Sequence, residues 1–253
     1  MGKMSDCQHF ISSKTISTNQ IVKEFIQNSL VYPTLDLAQK NAGDVQYEFT
    51  IDENGNTSKY VLIKGLSDEM NKEALRLIKK IQWIAATENG TPVKSTQIFT
   101  IVYDIKKYLR QHKNEYESKP KHLNLPIDST GKVFDIKSLD SKPEPTLNGK
   151  ISKLSEIINK ELIYPEAARS LSIQGTVKLG MVVEDDGIVS NIYVINSIGG
   201  GCDNEAIRIL QKIIWIPGVH DNQIVRTKSN FEVTFKLNEN KQNEIPSQQN
   251  SGM

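Results

Sequence analysis

Residues Gly175 to Asn196 read GTVKLGMVVEDDGIVSNIYVIN. Val177, Leu179, Met181 and Val183 fall on one face by period-2 alternation, and Asp185-Asp186-Gly187 supplies a turn into the next run. This is the pattern of an antiparallel hairpin with one apolar face.

Downstream, Ala206, Ile209, Leu210, Ile213 and Ile214 recur at helical spacing, which predicts a helix with one apolar stripe lying on the sheet. A last strand follows, in which Phe231, Val233, Phe235 and Leu237 alternate with Asn230, Glu232, Thr234 and Lys236. The order is strand, strand, helix, strand, and it occurs twice. Tyr32-Pro33 returns as Tyr164-Pro165, and the same offset relates Gly43 to Gly175, Gly55 to Gly187, Trp83 to Trp215 and Phe99 to Phe231 without a gap. Glu73, Ala74, Arg76, Lys80, Ile81, Trp83 and Ile84 match Glu205, Ala206, Arg208, Lys212, Ile213, Trp215 and Ile216. The first copy carries its own hairpin, with Val45, Tyr47, Phe49 and Ile51 on one face and Asn54-Gly55 at the turn.

The expected fold is therefore α+β, as two tandem two-layer domains. Each is a three-stranded antiparallel β-β-α-β sheet packed against helices. The boundaries are read as an N-terminal tail over 1–18, domains over 19–108 and 151–238, a linker over 109–150 and a disordered tail over 239–253. The linker assignment rests on a stretch rich in Lys, Pro and Ser with little periodicity.

Composition excludes several classes of function. With 31 basic and 30 acidic residues well mixed, the chain lacks the electrostatic footprint of a nucleic-acid binder. No apolar run approaches the roughly 20 residues that span a bilayer, and the start MGKMSDCQHF has no apolar signal-peptide core.

Candidate chemistry is sparse. Gly199-Gly200-Gly201-Cys202 precedes a helix, where a thiol could be activated and free N–H groups could hold a phosphate. The repeat argues against a nucleophile, because Met70 stands at the position of Cys202. Asp203 is read as the helix N-cap, with Asn71 at the equivalent place, and its carboxylate would repel an anion. The glycines then serve the backbone turn. His9, His112, His122 and His220 are scattered, so no metal site is expected, nor any cofactor or catalytic residue. Glu184-Asp185-Asp186 reads as a solvated hairpin tip and Trp215 as a core anchor.

Taken together, YPEAARSLSIQGTV, VVEDDGIVSNIYVI, GGGCDNEAIRILQKIIWIPG and FEVTFKL resemble the C-terminal domain of TonB, the energy transducer of Gram-negative bacteria, in the form common in Bacteroidetes. The resemblance covers Tyr164 to Leu237 strongly, and Tyr32 to Ile105 looks like a diverged relative, with Thr34 in place of Glu166 and Ala85 in place of Pro217. It implies a non-enzymatic periplasmic module that grips the TonB box, a short extended segment of outer-membrane TonB-dependent transporters. It also implies a link to inner-membrane proton-channel proteins through a segment absent from these residues. The alternative is a cell-envelope scaffold without transducer activity. A final strand at a sheet edge can take an extended peptide as a further strand. On that reading Asn230, Phe231, Glu232, Val233, Thr234, Phe235 and Lys236 supply the main-chain bonds, and Tyr164 and Pro165 shape the surface beside them. A homodimer by strand exchange is left open.

Overall fold

The structure is a computed structural model that describes residues 9–112, 124–147 and 150–237. Residues 1–8 of the expected N-terminal tail, with Cys7 among them, His122 and the tail expected to be disordered over 239–253 lie outside the described residues. The rest of the expected N-terminal tail is built into the first copy, Phe10 and Ile11 pairing with Glu88 and Thr87, and Lys14 and Thr15 with Ile84 and Trp83.

The first copy runs α1 (Asn19–Ser29), α2 (Thr34–Ala38), β1 (Gly43–Ile51), β2 (Thr57–Lys64), α3 (Asp68–Lys80), β3 (Ser95–Tyr103) and α4 (Ile105–Gln111). Its sheet has the order β2-β1-β3, all antiparallel. After β4 (Val133–Asp135) the second copy runs α5 (Leu154–Glu161), α6 (Glu166–Ser170), β5 (Gly175–Val183), β6 (Val189–Asn196), α7 (Cys202–Lys212), β7 (Gly218–His220) and β8 (Gln223–Phe235). Here β6-β5-β8 repeats the three-stranded unit, and β7 and β4 pair with further parts of β8. Two tandem α+β domains are what the alternating pattern predicts.

The alternation sets both cores. Val177, Leu179, Met181 and Val183 meet Ala206, Ile209 and Leu210 from α7, Ile213 just after it, and Phe231, Val233 and Phe235 from β8, all buried. Val45, Tyr47, Phe49 and Ile51 do the same with Ala74, Leu77, Ile78 and Ile81 in the first copy. At about 25 cal/mol per Å² of apolar surface removed from water, such faces are the main stabilising term. Ile214 departs from the expected helix. α7 stops at Lys212, and Ile214–Ile216 pairs as a short strand with Glu144–Leu147. A run of β-branched residues ahead of Pro217 favours extended backbone.

Polar contacts repeat at the same offset. Tyr32 and Tyr164 donate their phenolic protons to the carbonyls of Asn41 and Ile173. Arg76 bridges Glu73 and the Ser29 carbonyl, as Arg208 bridges Glu205 and the Glu161 carbonyl. Gly55 and Gly187 sit in the left-handed region, where an added Cβ would lie 2.2 and 2.1 Å from the carbonyl oxygens of Trp83 and Trp215. Only glycine fits against that backbone.

The stretch expected to be linker differs from the expectation. Ile127 bridges Ile224, Val133–Asp135 runs parallel to Arg226–Lys228, Ser141 bridges Val219, and Glu144–Leu147 pairs with Ile214–Ile216 and with Lys150–Ile151. Two of these pieces are single-residue bridges and the others are strands of two to four residues, too short to show a period, and the surrounding Pro and Lys mask them.

Candidate strand-docking edge

β8 is held on one side along Thr227–Phe235 by β5, residue for residue. On its outer side Arg226, Thr227 and Lys228 pair with β4. From Ser229 to Phe235 no strand among the described residues lies on that outer side. A strand with one partner leaves every second residue's N–H and C=O facing outward. Asn230, Glu232 and Thr234 are exposed on the solvent face, whereas Phe231, Val233 and Phe235 are buried beneath the sheet. Lys178 reaches Glu232 at 2.9 Å and Thr234 shares a hydroxyl hydrogen bond of 2.9 Å with Thr176, so these side chains brace β8 against β5.

The two halves of the expected site come together at the end of the strand. The Tyr164 ring stands edge-on to Phe235, and Pro165 opens α6 beside it. Lys236 follows the strand and is exposed.

The glycine run has a structural explanation. Gly199, Gly200 and Gly201 all adopt left-handed φ, and a Cβ on Gly200 would lie 2.9 Å from the Ala168 Cβ and 2.8 Å from Ile173. The chain turns into α7 pressed against α6 and the loop after it. Gly201, not Asp203, occupies the cap position. Asp203 lies within the first turn and reaches back, accepting hydrogen bonds from the Ser197 hydroxyl and the Ile198 N–H. Asn71 does the same for Leu66 in the first copy, where Ser67 is the actual cap of α3. The cap assignment to Asp203 and Asn71 is thus corrected: both tie down the preceding loop.

Cys202 is a free thiol with no exposure. Burial pushes the thiol pKa up, and the Asp203 and Glu205 carboxylates add to the effect, opposite to what a nucleophile needs. The acidic tip also differs from expectation. Glu184 is fully buried and faces Arg226 and Lys80, because the first copy packs over this turn. His220 stands near Asp140 and Asp221, with one ligand atom of each within 4.8 Å of the others, a grouping that the scatter in sequence hides. Both carboxylates are exposed, and Asp140 accepts the Asp221 N–H.

The first copy offers an equivalent edge. β3 pairs only with β1 among the described residues, and a groove of about 520 Å³ lies beside it. Val22, Ile26, Val102 and Tyr108 help to line this groove.

The described residues thus form a small α+β unit in tandem, with an open edge on the final strand of each copy. The model of the Gram-negative bacterial TonB protein C-terminal family matches residues 28–105 and again 160–237, and the chain belongs to this family, as two tandem copies. This makes it a transport-associated module of the cell envelope. A solution structure of the Helicobacter pylori TonB C-terminal domain (residues 194–285) is 21% identical, covers 34% of this chain and 91% of that one, and has a TM-score of 0.26. The corresponding Pseudomonas aeruginosa domain is 22% identical, with coverages of 42% and 95% and a TM-score of 0.30. The search of curated proteins returned no match. No helix among the described residues is long and apolar enough to cross a membrane.

Proposed function

We propose that the chain is a periplasmic module of TonB-type energy transduction that docks the TonB box of an outer-membrane transporter by strand addition to the outer edge of β8, over Asn230–Lys236. The observation that carries this reading is that, among the described residues, no strand pairs with the outer side of Ser229–Phe235, whose inner side is paired throughout with β5. Main-chain bonds supply the affinity in such a mode, and pockets beside the edge supply the selectivity. On this reading Tyr164, which packs edge-on against Phe235 at the end of β8, and Pro165, which follows it into α6, shape the surface beside the docked segment. The edge of β3 is a second candidate, bordered by its groove.

The test is a photo-crosslinking residue at Thr234 in the full chain, exposed to outer-membrane extracts. The expected product joins Thr234 to the extended segment of a transporter. A peptide copied from that segment should then shift the backbone amides of β8. Recovery of peptidoglycan or of a partner lacking such a segment would favour a scaffold instead.

A further inference from the structure

Four charged residues are buried among the described residues, Asp36, Lys80, Glu184 and Arg226, and three of them meet where the two copies touch. Lys80, the last residue of α3, donates to Asp185 at 2.6 Å and lies 3.4 Å from Glu184 and 3.8 Å from Asp186. Arg226 on β8 grips Glu184 with two nitrogens at 2.7 and 2.9 Å, and donates to the Lys80 carbonyl at 2.8 Å and the Gly131 carbonyl at 2.9 Å.

Asn191 completes the arrangement. It sits in β6 with φ 52°, beside an irregularity in the pairing with β5. Its amide donates to the Lys80 carbonyl at 2.9 Å and its side-chain oxygen accepts the Gln82 N–H at 2.7 Å. One side chain therefore satisfies the backbone at the end of α3 in both directions. Ser17 adds a bond to the Ile192 carbonyl at 2.8 Å. Apolar residues interlock as well: Ile21 of α1 belongs to the core of the second copy, and Ile188 packs on the core of the first.

A buried ionic cluster is costly to desolvate, so its net stabilisation is small. Once assembled, however, removal of one member leaves an uncompensated charge, and a misaligned interface is heavily penalised. Such a contact sets geometry more than it adds stability. It is also particular to this pair. At the repeat offset, the first copy has Lys59 where the second has Asn191 and Lys94 where it has Arg226, and the second has Lys153 where the first has Ile21. A third copy could not dock on the hairpin of the first in the same way, so the contact closes after two.

We propose that the two copies form one rigid body, locked by Lys80, Asn191 and Arg226, and that the second copy does not turn independently of the first. Arg226 lies in the same strand as the open edge, four residues before Asn230. The edge of β8 is thus braced against α3 of the first copy through a continuous strand. The inference concerns the free protein and does not rest on the strand-addition reading.

The experiment is ¹⁵N relaxation on the full chain at neutral pH, read as a rotational correlation time for the amides of each copy. The expected result is one shared time for the wild type. Asn191→Gly keeps the left-handed φ and removes both hydrogen bonds, and Lys80→Met removes the charge. In either variant the time should split into two shorter ones while each copy keeps its own amide pattern. If Lys80→Met fails to fold, Asn191→Gly decides alone. Separate times in the wild type, or one shared time surviving in every folded variant, would overturn the proposal.

Discussion

Tyr164 stands edge-on to Phe235, ring centroids 5.7 Å apart and planes at 87°. The same relationship joins Tyr32 to Tyr103 in the first copy, at 5.4 Å and 86°. In each copy the Tyr-Pro that opens the repeat is thereby closed against the last residue of its final strand. The aromatic pair ties the start of the domain to the end of the strand whose edge is open. Edge-to-face rings at this separation contribute about 1 kcal/mol beyond their burial.

Tyr164→Ala should therefore destabilise the second copy by about 3 kcal/mol, through loss of ring packing and of the hydrogen bond to the Ile173 carbonyl. Tyr164→Phe keeps the ring and should cost about 1 kcal/mol. Urea unfolding followed by near-ultraviolet circular dichroism measures both. Equal effects would mean that the hydroxyl, not the ring, holds this corner.

The glycines separate conformational from steric demands. Gly199 has φ +74° and open space around its missing Cβ, so Gly199→Ala should cost about 1 kcal/mol from the backbone alone. Gly187 has φ +79° and the Trp215 carbonyl oxygen 2.1 Å from where a Cβ would stand, so Gly187→Ala should cost about 3 kcal/mol or more. Thermal melts of the two variants compare them directly. Similar losses would contradict the close approach.

Much of this was legible from the chain itself, and the reason is that it repeats. Val177 to Val183 and Phe231 to Phe235 announce their buried faces by alternation, and Gly187 with Trp215 is flagged by Gly55 with Trp83. What was hidden depends on partners far away in sequence. Glu184 reads as a solvated turn until Lys80 and Arg226 close over it, and nothing local announces either. Val133–Asp135 is too short to show a period and gains its place only by pairing with β8. The cap of α7 is hidden because Asp203 has the right chemistry two residues past Gly201, which holds the cap position. The open edge of β8 follows from strand order, whereas its limit at Ser229 is set by β4 and needed the structure.

The acidic tip predicts a pH dependence whose sign is unusual for a carboxylate near a lysine. Burial pushes the Asp186 carboxyl above its ordinary range, Glu184 and Asp185 push the same way, and Lys80 only partly opposes them. With the folded pKa above the unfolded one, Asp186 favours folding most when protonated, and that contribution is lost as pH rises through the folded value. Asp186→Asn should thus raise stability at pH 7. The gain should shrink as pH falls through the raised value and vanish below the ordinary carboxylate pKa of about 4. A variant less stable than wild type at pH 7 would show that the charge is needed in the lock.

The last expectation concerns the open edge, and it turns on position along one strand. Proline removes a backbone donor and obstructs an approaching strand, and it is tolerated on an edge only where its missing N–H faces away from the neighbouring strand. Asn230, Glu232 and Thr234 lie two residues apart, so their N–H groups face the same side, and Ile224 of the same parity exchanges both its backbone bonds with Pro126 and Asp128 on the outer side. A proline at any one of the three should spare the bonds to β5 while removing an outward donor. That variant should keep its fold and lose at least tenfold in affinity for a transporter-derived extended peptide, a factor equivalent to about 1.4 kcal/mol. Glu232→Gln should change affinity little, because the carboxylate is engaged with Lys178 and the outward groups are backbone. Lys228→Pro is the internal comparison: β4 and β5 flank that residue, so the loss should appear in folding rather than in binding. The same substitutions at Ile98, Thr100 and Val102 ask whether the edge of β3, beside its groove, takes a peptide as well. Titration followed by backbone amide shifts distinguishes the sites. Shifts confined to α7, with β8 and β3 unmoved, would rule strand addition out.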